Sequence, residues 1–238
     1  MAVAFDAVGP SATGQTSSGA TTTLSWSHTV GAGSNTVLIV GGAIGNASAP
    51  PAITSITYNS VAMTGFATVN SGGLTAGYVA MYYLLNPPAG ANTVLVTRGA
   101  ASTTTMVFGS VSFTGASQTV GDYFVATNQS ITAGSTPASV VVPTVSTASQ
   151  VVDAMCSGSA SSTPTSNKTN RWVNAFGSSS AAGVSGQSTT VGTGGNVTMQ
   201  YTITSDDWAV IGLEVLPFVA KSTARPNYNQ AVTRAASF

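Results

Sequence analysis

The chain has 238 residues, of which 43% are hydrophobic and only 5% are charged. Charged residues ordinarily make up about 25% of a globular chain, so the polar surface here is built from Ser, Thr, Gly, Asn and Gln. Six basic and six acidic residues give no net charge, which argues against nucleic-acid binding through a basic face. The single cysteine, Cys156, excludes an intrachain disulfide and a cysteine-based zinc cluster.

No stretch places apolar residues at helical spacing. Val, Ile and Thr dominate the apolar runs, and β-branched side chains suit pleated strands. In chain order the predicted strands are Thr21–Val30, Thr36–Ile44, Ile53–Tyr58, Gly77–Leu85, Thr93–Thr97 and Thr105–Phe113. After a looser stretch come Ser139–Val145, Gln150–Cys156, Arg171–Phe176, Val197–Thr204 and Trp208–Leu216. Asn59-Ser60 lies between two apolar runs and suits a hairpin turn. Pro87-Pro88-Ala89-Gly90 is a loop, because neither proline can donate to a sheet ladder. Short strands with regular turn signals predict an all-β fold: a two-sheet antiparallel β-sandwich, jelly-roll or concanavalin-like.

The strands recur in a pattern. LSWSHTVGAGSNTVLIVGGA parallels SVVVPTVSTASQVVDAMCSG, and NTVLVTRGAASTTTMVFGSVSF parallels NVTMQYTITSDDWAVIGLEVLPF. This aligns Met106 with Trp208, Val111 with Leu213 and Phe113 with Val215. It predicts an internal duplication, with one copy over about 21–115 and the other over about 138–217. Two half-sandwich copies are expected to close into one two-sheet body over residues 1–218, each half covering the other's apolar face.

Beyond Phe218 the character changes. Residues 219–238 lack strand alternation and carry Lys221, Arg225 and Arg234 with no acid, a net of +3, against a net of −3 for residues 1–218. This segment reads as an extended basic arm whose assembly contacts are Lys221, Arg225, Tyr228, Arg234 and Phe238. The start of the chain lacks the basic and long apolar regions of a signal peptide, and no run approaches the ~18 apolar residues of a membrane helix. The expectation is synthesis in a cytoplasm and release by lysis, without membrane insertion.

Catalytic constellations are sparse. The only histidine, His28, lies in a strand and fits a structural or surface role better than a Ser-His-acid triad. Glycoside hydrolysis needs two carboxyl groups across a cleft. The acids Asp153, Asp206, Asp207 and Glu214 show no alternating pattern along a strand, and Asp153 reads as part of a solvated strand face. Asp206 and Asp207 with backbone carbonyls offer at most a weak calcium site. No phosphate loop, cofactor motif or metal cluster is expected, and Cys156 reads as a buried small hydrophobe. For binding, Trp172, Tyr83 and Arg171 are the candidate glycan-stacking residues: Arg171-Trp172 opens a strand after a Ser/Thr-rich loop, and one of the adjacent pair Tyr82-Tyr83 should face outward.

The stretches LSWSHTVGAGSNTVLIVGG, ITSITYNSVAMT, MYYLLNPPAGANTVLVT and MVFGSVSFTGA resemble β-sandwich modules of tailed bacteriophage virions and of some bacterial surface proteins. The resemblance covers residues 21–116 directly and the second half through the repeat. It implies a virion surface or tail component, such as a capsid decoration, head fibre or minor tail protein. The expected function is therefore a non-enzymatic structural subunit of a phage particle, a homo-oligomer anchored to other virion proteins through its termini. A glycan-binding adhesion module is the alternative, and a sandwich-fold glycoside hydrolase is a second one.

Overall fold

A computed structural model describes residues 1–10, 15–17, 21–45, 51–71, 77–101, 104–122, 124–130, 136–158, 164–176, 183–204 and 206–219. Every regular element among them is a strand. The first half contains β1 (Ala4–Gly9), β2 (Gln15–Ser17), β3 (Thr23–Val30), β4 (Val37–Gly45), β5 (Ile53–Tyr58), β6 (Val61–Ala62), β7 (Thr64–Asn70), β8 (Tyr78–Leu85), β9 (Gly90–Arg98) and β10 (Thr105–Thr114). The second contains β11 (Phe124–Ser130), β12 (Ala138–Pro143), β13 (Gln150–Ser157), β14 (Thr165–Ser166), β15 (Thr169–Phe176), β16 (Gly183–Val191), β17 (Asn196–Thr202) and β18 (Trp208–Val215). Each of the predicted strands is present. Asn59 and Ser60 both take positive φ, 49° and 64°, and turn β5 directly into β6. That is the left-handed backbone a two-residue hairpin turn demands.

The pairing is antiparallel throughout, and it reveals the duplication. In the first half, one sheet runs β1-β10-β4-β8-β7 and a smaller one runs β3-β9-β5-β6. In the second half, the sheets run β11-β18-β13-β16-β15 and β12-β17-β14. Leaving out the short β2 and β6, the eight strands of the first half map in order onto β11 to β18, and both sheet orders are reproduced. The ladder registers agree as well. Met106, Val111 and Phe113 pair with Ile44, Ile39 and Val37, while Trp208, Leu213 and Val215 pair with Ser157, Val152 and Gln150. One offset relates β10 to β18 at all three positions, and a second relates β4 to β13. The repeat unit is longer than the sequence pattern indicated, since it begins with β1 and β11.

Each copy is a complete sandwich of eight principal strands in two sheets, the jelly-roll arrangement, rather than half of one. One core fills the first sandwich, with Leu24, Trp26, Val40, Ile56, Tyr58 and Phe108 among its residues. A second fills the other sandwich, around Val140, Met155, Met199, Tyr201 and Val210. A third lies between the two large sheets and joins Ile39, Met81, Val111 and Phe113 of the first half to Val152, Ala154, Ile211 and Leu213 of the second. The body is thus four sheets deep. The large sheets are apolar on both faces, which is why β4, β10, β13 and β18 read as continuous buried runs. Contacts across the middle pair β4 with β13 and β16, β10 with β15 and β16, β8 with β13 and β18, and β7 with β18. Exchanging equivalent strands returns these pairs, although β7 also meets β11 without an equal counterpart, so the halves meet about an approximate pseudo-two-fold axis, much as in an isologous dimer.

Candidate functional site

The residues expected to stack on a glycan are consumed by this middle interface. Trp172 on β15 is 0% exposed. Its indole N–H donates to Gln187 Oε1 at 2.7 Å, and its ring lies over Gly109 of β10, where a Cβ would fall 2.4 Å from the indole nitrogen. Gly41 gives Gln187 the same clearance, with 2.6 Å between a notional Cβ and its amide nitrogen. The two glycines let side chains of one half press onto the backbone of the other. Tyr83 is 5% exposed, packs in the middle core and stacks on Phe66 at 4.2 Å. Arg171 places its guanidinium 3.5 Å above the Phe5 ring and donates to Thr189 Oγ1 at 2.6 Å. It clamps β15 to β1 across the halves. Trp172 and Tyr83 therefore offer no open ring face. Alternation correctly puts Tyr82 and Tyr83 on opposite faces, but the second sandwich covers the face that a lone sandwich would leave to solvent.

The expected assembly contacts Lys221, Arg225, Tyr228, Arg234 and Phe238 lie outside the described residues. The chain up to Val219 is described. Ala116 bridges to Pro217. Ser117 N–H donates to Leu216 O, and Phe218 N–H to Gly115 O, both at 2.7 Å. Beside this tie lies a groove of about 630 Å³ lined by Ser117, Gln118, Thr119, Asp122, Pro217, Phe218 and Val219. Asp122 accepts from Ser117 Oγ at 2.5 Å. Gln118 donates to Thr36 O and Ala116 O at 3.1 and 3.0 Å.

The acids hold the fold together. Glu214, 0% exposed, accepts from Val145 N–H and Ser146 N–H at 3.0–3.2 Å and from Ser149 Oγ at 2.6 Å. It thereby closes the loop between β12 and β13. In the first half Asp6 does this work, accepting from Gly31 N–H at 2.9 Å after β3 and from Ser112 Oγ at 2.7 Å. Ser112 is the ladder equivalent of Glu214, so the duplicated unit keeps the carboxylate but supplies it from a neighbouring strand. The Ser112 proton goes to Asp6, so Ser112 Oγ accepts from His28 Nε2–H at 3.0 Å. Ser110 Oγ lies 2.9 Å from His28 Nδ1, donates to Gly9 O at 3.2 Å and accepts the Trp26 indole N–H at 2.9 Å. Burial lowers the His28 pKa to about 4, with Asp6 pulling the other way. A neutral imidazole thus links the two sheets of the first sandwich in a structural role.

Asp153 corrects the expectation of a solvated strand face. It is 0% exposed between the sheets of the second sandwich, where it accepts from Ser188 N–H at 2.6 Å, Ser188 Oγ at 2.8 Å and the Tyr201 hydroxyl at 2.8 Å. Burial raises its pKa to about 7 despite these donors. Its partner strand β16 was missed in the sequence because Ser185, Gln187, Ser188 and Thr189 read as loop, yet all four are buried. Asp206 accepts from Asp207 N–H at 2.8 Å, and burial together with Asp206 raises the Asp207 pKa to about 6. Among the described residues no group of three or more His, Cys, Asp or Glu side chains is placed to hold a metal ion. Cys156 is buried, and burial pushes its thiol pKa up to about 12.

In comparisons with known proteins, the chain matches no family model, no curated protein and no solved structure.

Proposed function

We propose that the chain is a non-enzymatic structural subunit of a bacteriophage virion, a capsid decoration, head fibre or minor tail protein, that assembles with its neighbours through its terminal segments. The observation that carries this reading is where the chemistry goes. The histidine, Asp153 and Glu214 are enclosed and saturated by internal donors, so the groups most suited to catalysis serve to brace a four-sheet slab. Such a slab carries few charges. Near-zero net charge favours association, which suits a subunit that works in an assembly. Val219, the last described residue, lines the groove that holds Asp122, and the sequence beyond it carries three bases and no acid.

The test is deletion of residues 219–238. The shortened chain should keep the far-ultraviolet spectrum and cooperative melting of the full chain but fail to enter its particle. Incorporation at the normal level would remove the role given to the arm. The alternative of glycan adhesion through Trp172 and Tyr83 loses its support, because both rings are buried.

A further inference from the structure

The two sheets of the first sandwich differ in width. β7 extends the large sheet beyond β8, and the smaller sheet ends at β5 and β6. A cleft of about 310 Å³ opens where this cover runs out, lined by Ala52, Ile53, Thr68, Asn70, Tyr78 and Tyr82. Its floor follows from register. Asn70 pairs with Tyr78, Thr68 with Ala80 and Gly65 with Tyr82, and directly opposed residues share a face. The floor therefore carries two parallel rows. One row is Tyr78, Ala80 and Tyr82; the other is Asn70, Thr68 and Gly65. Ala80, between the two tyrosines, is fully buried beneath them. Gly65 presents no side chain, so the flank of Tyr82 stays open: even a Cβ there would only touch the ring at 3.4 Å. Tyr78 is held in place by its hydroxyl donating to Pro51 O at 2.9 Å, whereas Tyr82 is partly exposed.

We infer that this cleft is a binding site for a neutral saccharide. Three features select that class. The lining contains no charged side chain, so an anion or cation would be desolvated there without a partner. The partly exposed Tyr82 ring offers flat apolar surface to the C–H face of a sugar ring, while Thr68 and Asn70, both exposed, offer a hydroxyl and an amide to its equatorial hydroxyls. The volume lies at the small end of ligand sites, which fits one or two sugar rings and is short for an extended proline-rich peptide, the other ligand that tyrosine-lined grooves accept. The site is independent of the virion reading, since a sugar cleft on the side of one sandwich leaves the arm and the middle interface untouched.

The experiment uses the full chain. Saturation-transfer-difference NMR screens neutral di- and trisaccharides of glucose, galactose and N-acetylglucosamine, with sialyllactose and a heptaproline peptide as contrasts, and calorimetry follows any hit. Tyr82→Ala removes the partly exposed ring, and Thr68→Phe fills the cleft from an exposed position while keeping both tyrosines. The expected result is binding of a neutral saccharide that weakens about tenfold in Tyr82→Ala and disappears in Thr68→Phe, with both variants still melting cooperatively. Absence of any neutral saccharide signal overturns the inference. So does binding that both variants leave intact, or a preference for sialyllactose or heptaproline.

Discussion

Asp153→Asn is the most informative single substitution, because it separates a charge from its hydrogen bonds. The carboxyl sits wholly inside the second sandwich. An asparagine amide oxygen can keep the bonds from Ser188 N–H and Tyr201 hydroxyl, and its NH₂ can donate to Ser188 Oγ. What changes is titration. The folded pKa is raised from 3.8 to about 7, so between those pH values the folded chain holds a proton that the unfolded chain has released. Stability then falls as pH rises through that window and levels off above it. A rise of roughly three units corresponds to on the order of 4 kcal/mol. Asp207, whose pKa is also raised, acts in the same direction in both proteins and cancels from the comparison. Urea unfolding followed by fluorescence of Trp26, Trp172 and Trp208, at pH 4 and at pH 8, measures the difference. The variant should match the parent within about 1 kcal/mol at pH 4 and exceed it by on the order of 4 kcal/mol at pH 8. Parallel pH profiles for the two proteins would refute the buried, proton-holding carboxyl.

Further outcomes follow from the same contacts. His28 is the only histidine, so one imidazole signal reports on it; its NMR titration should have a midpoint near pH 4, and a midpoint near the ordinary 6.5 would contradict the buried network. Because the unfolded chain protonates first, this histidine makes stability fall as pH drops from 6.5 towards 4, opposing Asp153 over the same range. Gly109→Ala should cost about 1–3 kcal/mol in urea unfolding, as the added methyl meets the Trp172 ring; no loss would mean that the two sandwiches are not pressed together there. Glu214→Ala removes the acceptor of two backbone N–H groups and of the buried Ser149 hydroxyl and should cost about 1–3 kcal/mol, measured in the same way, whereas Val120→Ala at an exposed position should be silent.

Much of this fold was legible because strand cores are local. The runs from Thr21 to Leu216 announce themselves by β-branched residues and turn signals, and the match of Met106, Val111 and Phe113 with Trp208, Leu213 and Val215 survives in the ladder registers. What the sequence hid was non-local. β16 is polar, and its burial makes sense only once Asp153 and Trp172 supply partners for Ser188 and Gln187. The concealment of Trp172 and Tyr83 likewise depends on a second sandwich covering the first, which no pattern within one strand can signal. The cleft at Tyr82 escaped for a related reason. It arises from unequal sheet widths, and its residues come from β5, β7 and β8, of which β7, with its Gly and mixed exposure, gave no clear strand pattern.

The role proposed for this duplicated slab is that of a building block of a virus particle. Particles released by lysis of cells carrying the gene, banded by density and digested for peptide mass spectrometry, test it most directly. The account predicts that peptides of this chain band with the particles in many copies per particle. Finding the chain only in the soluble fraction, with none in the banded particles, would contradict it.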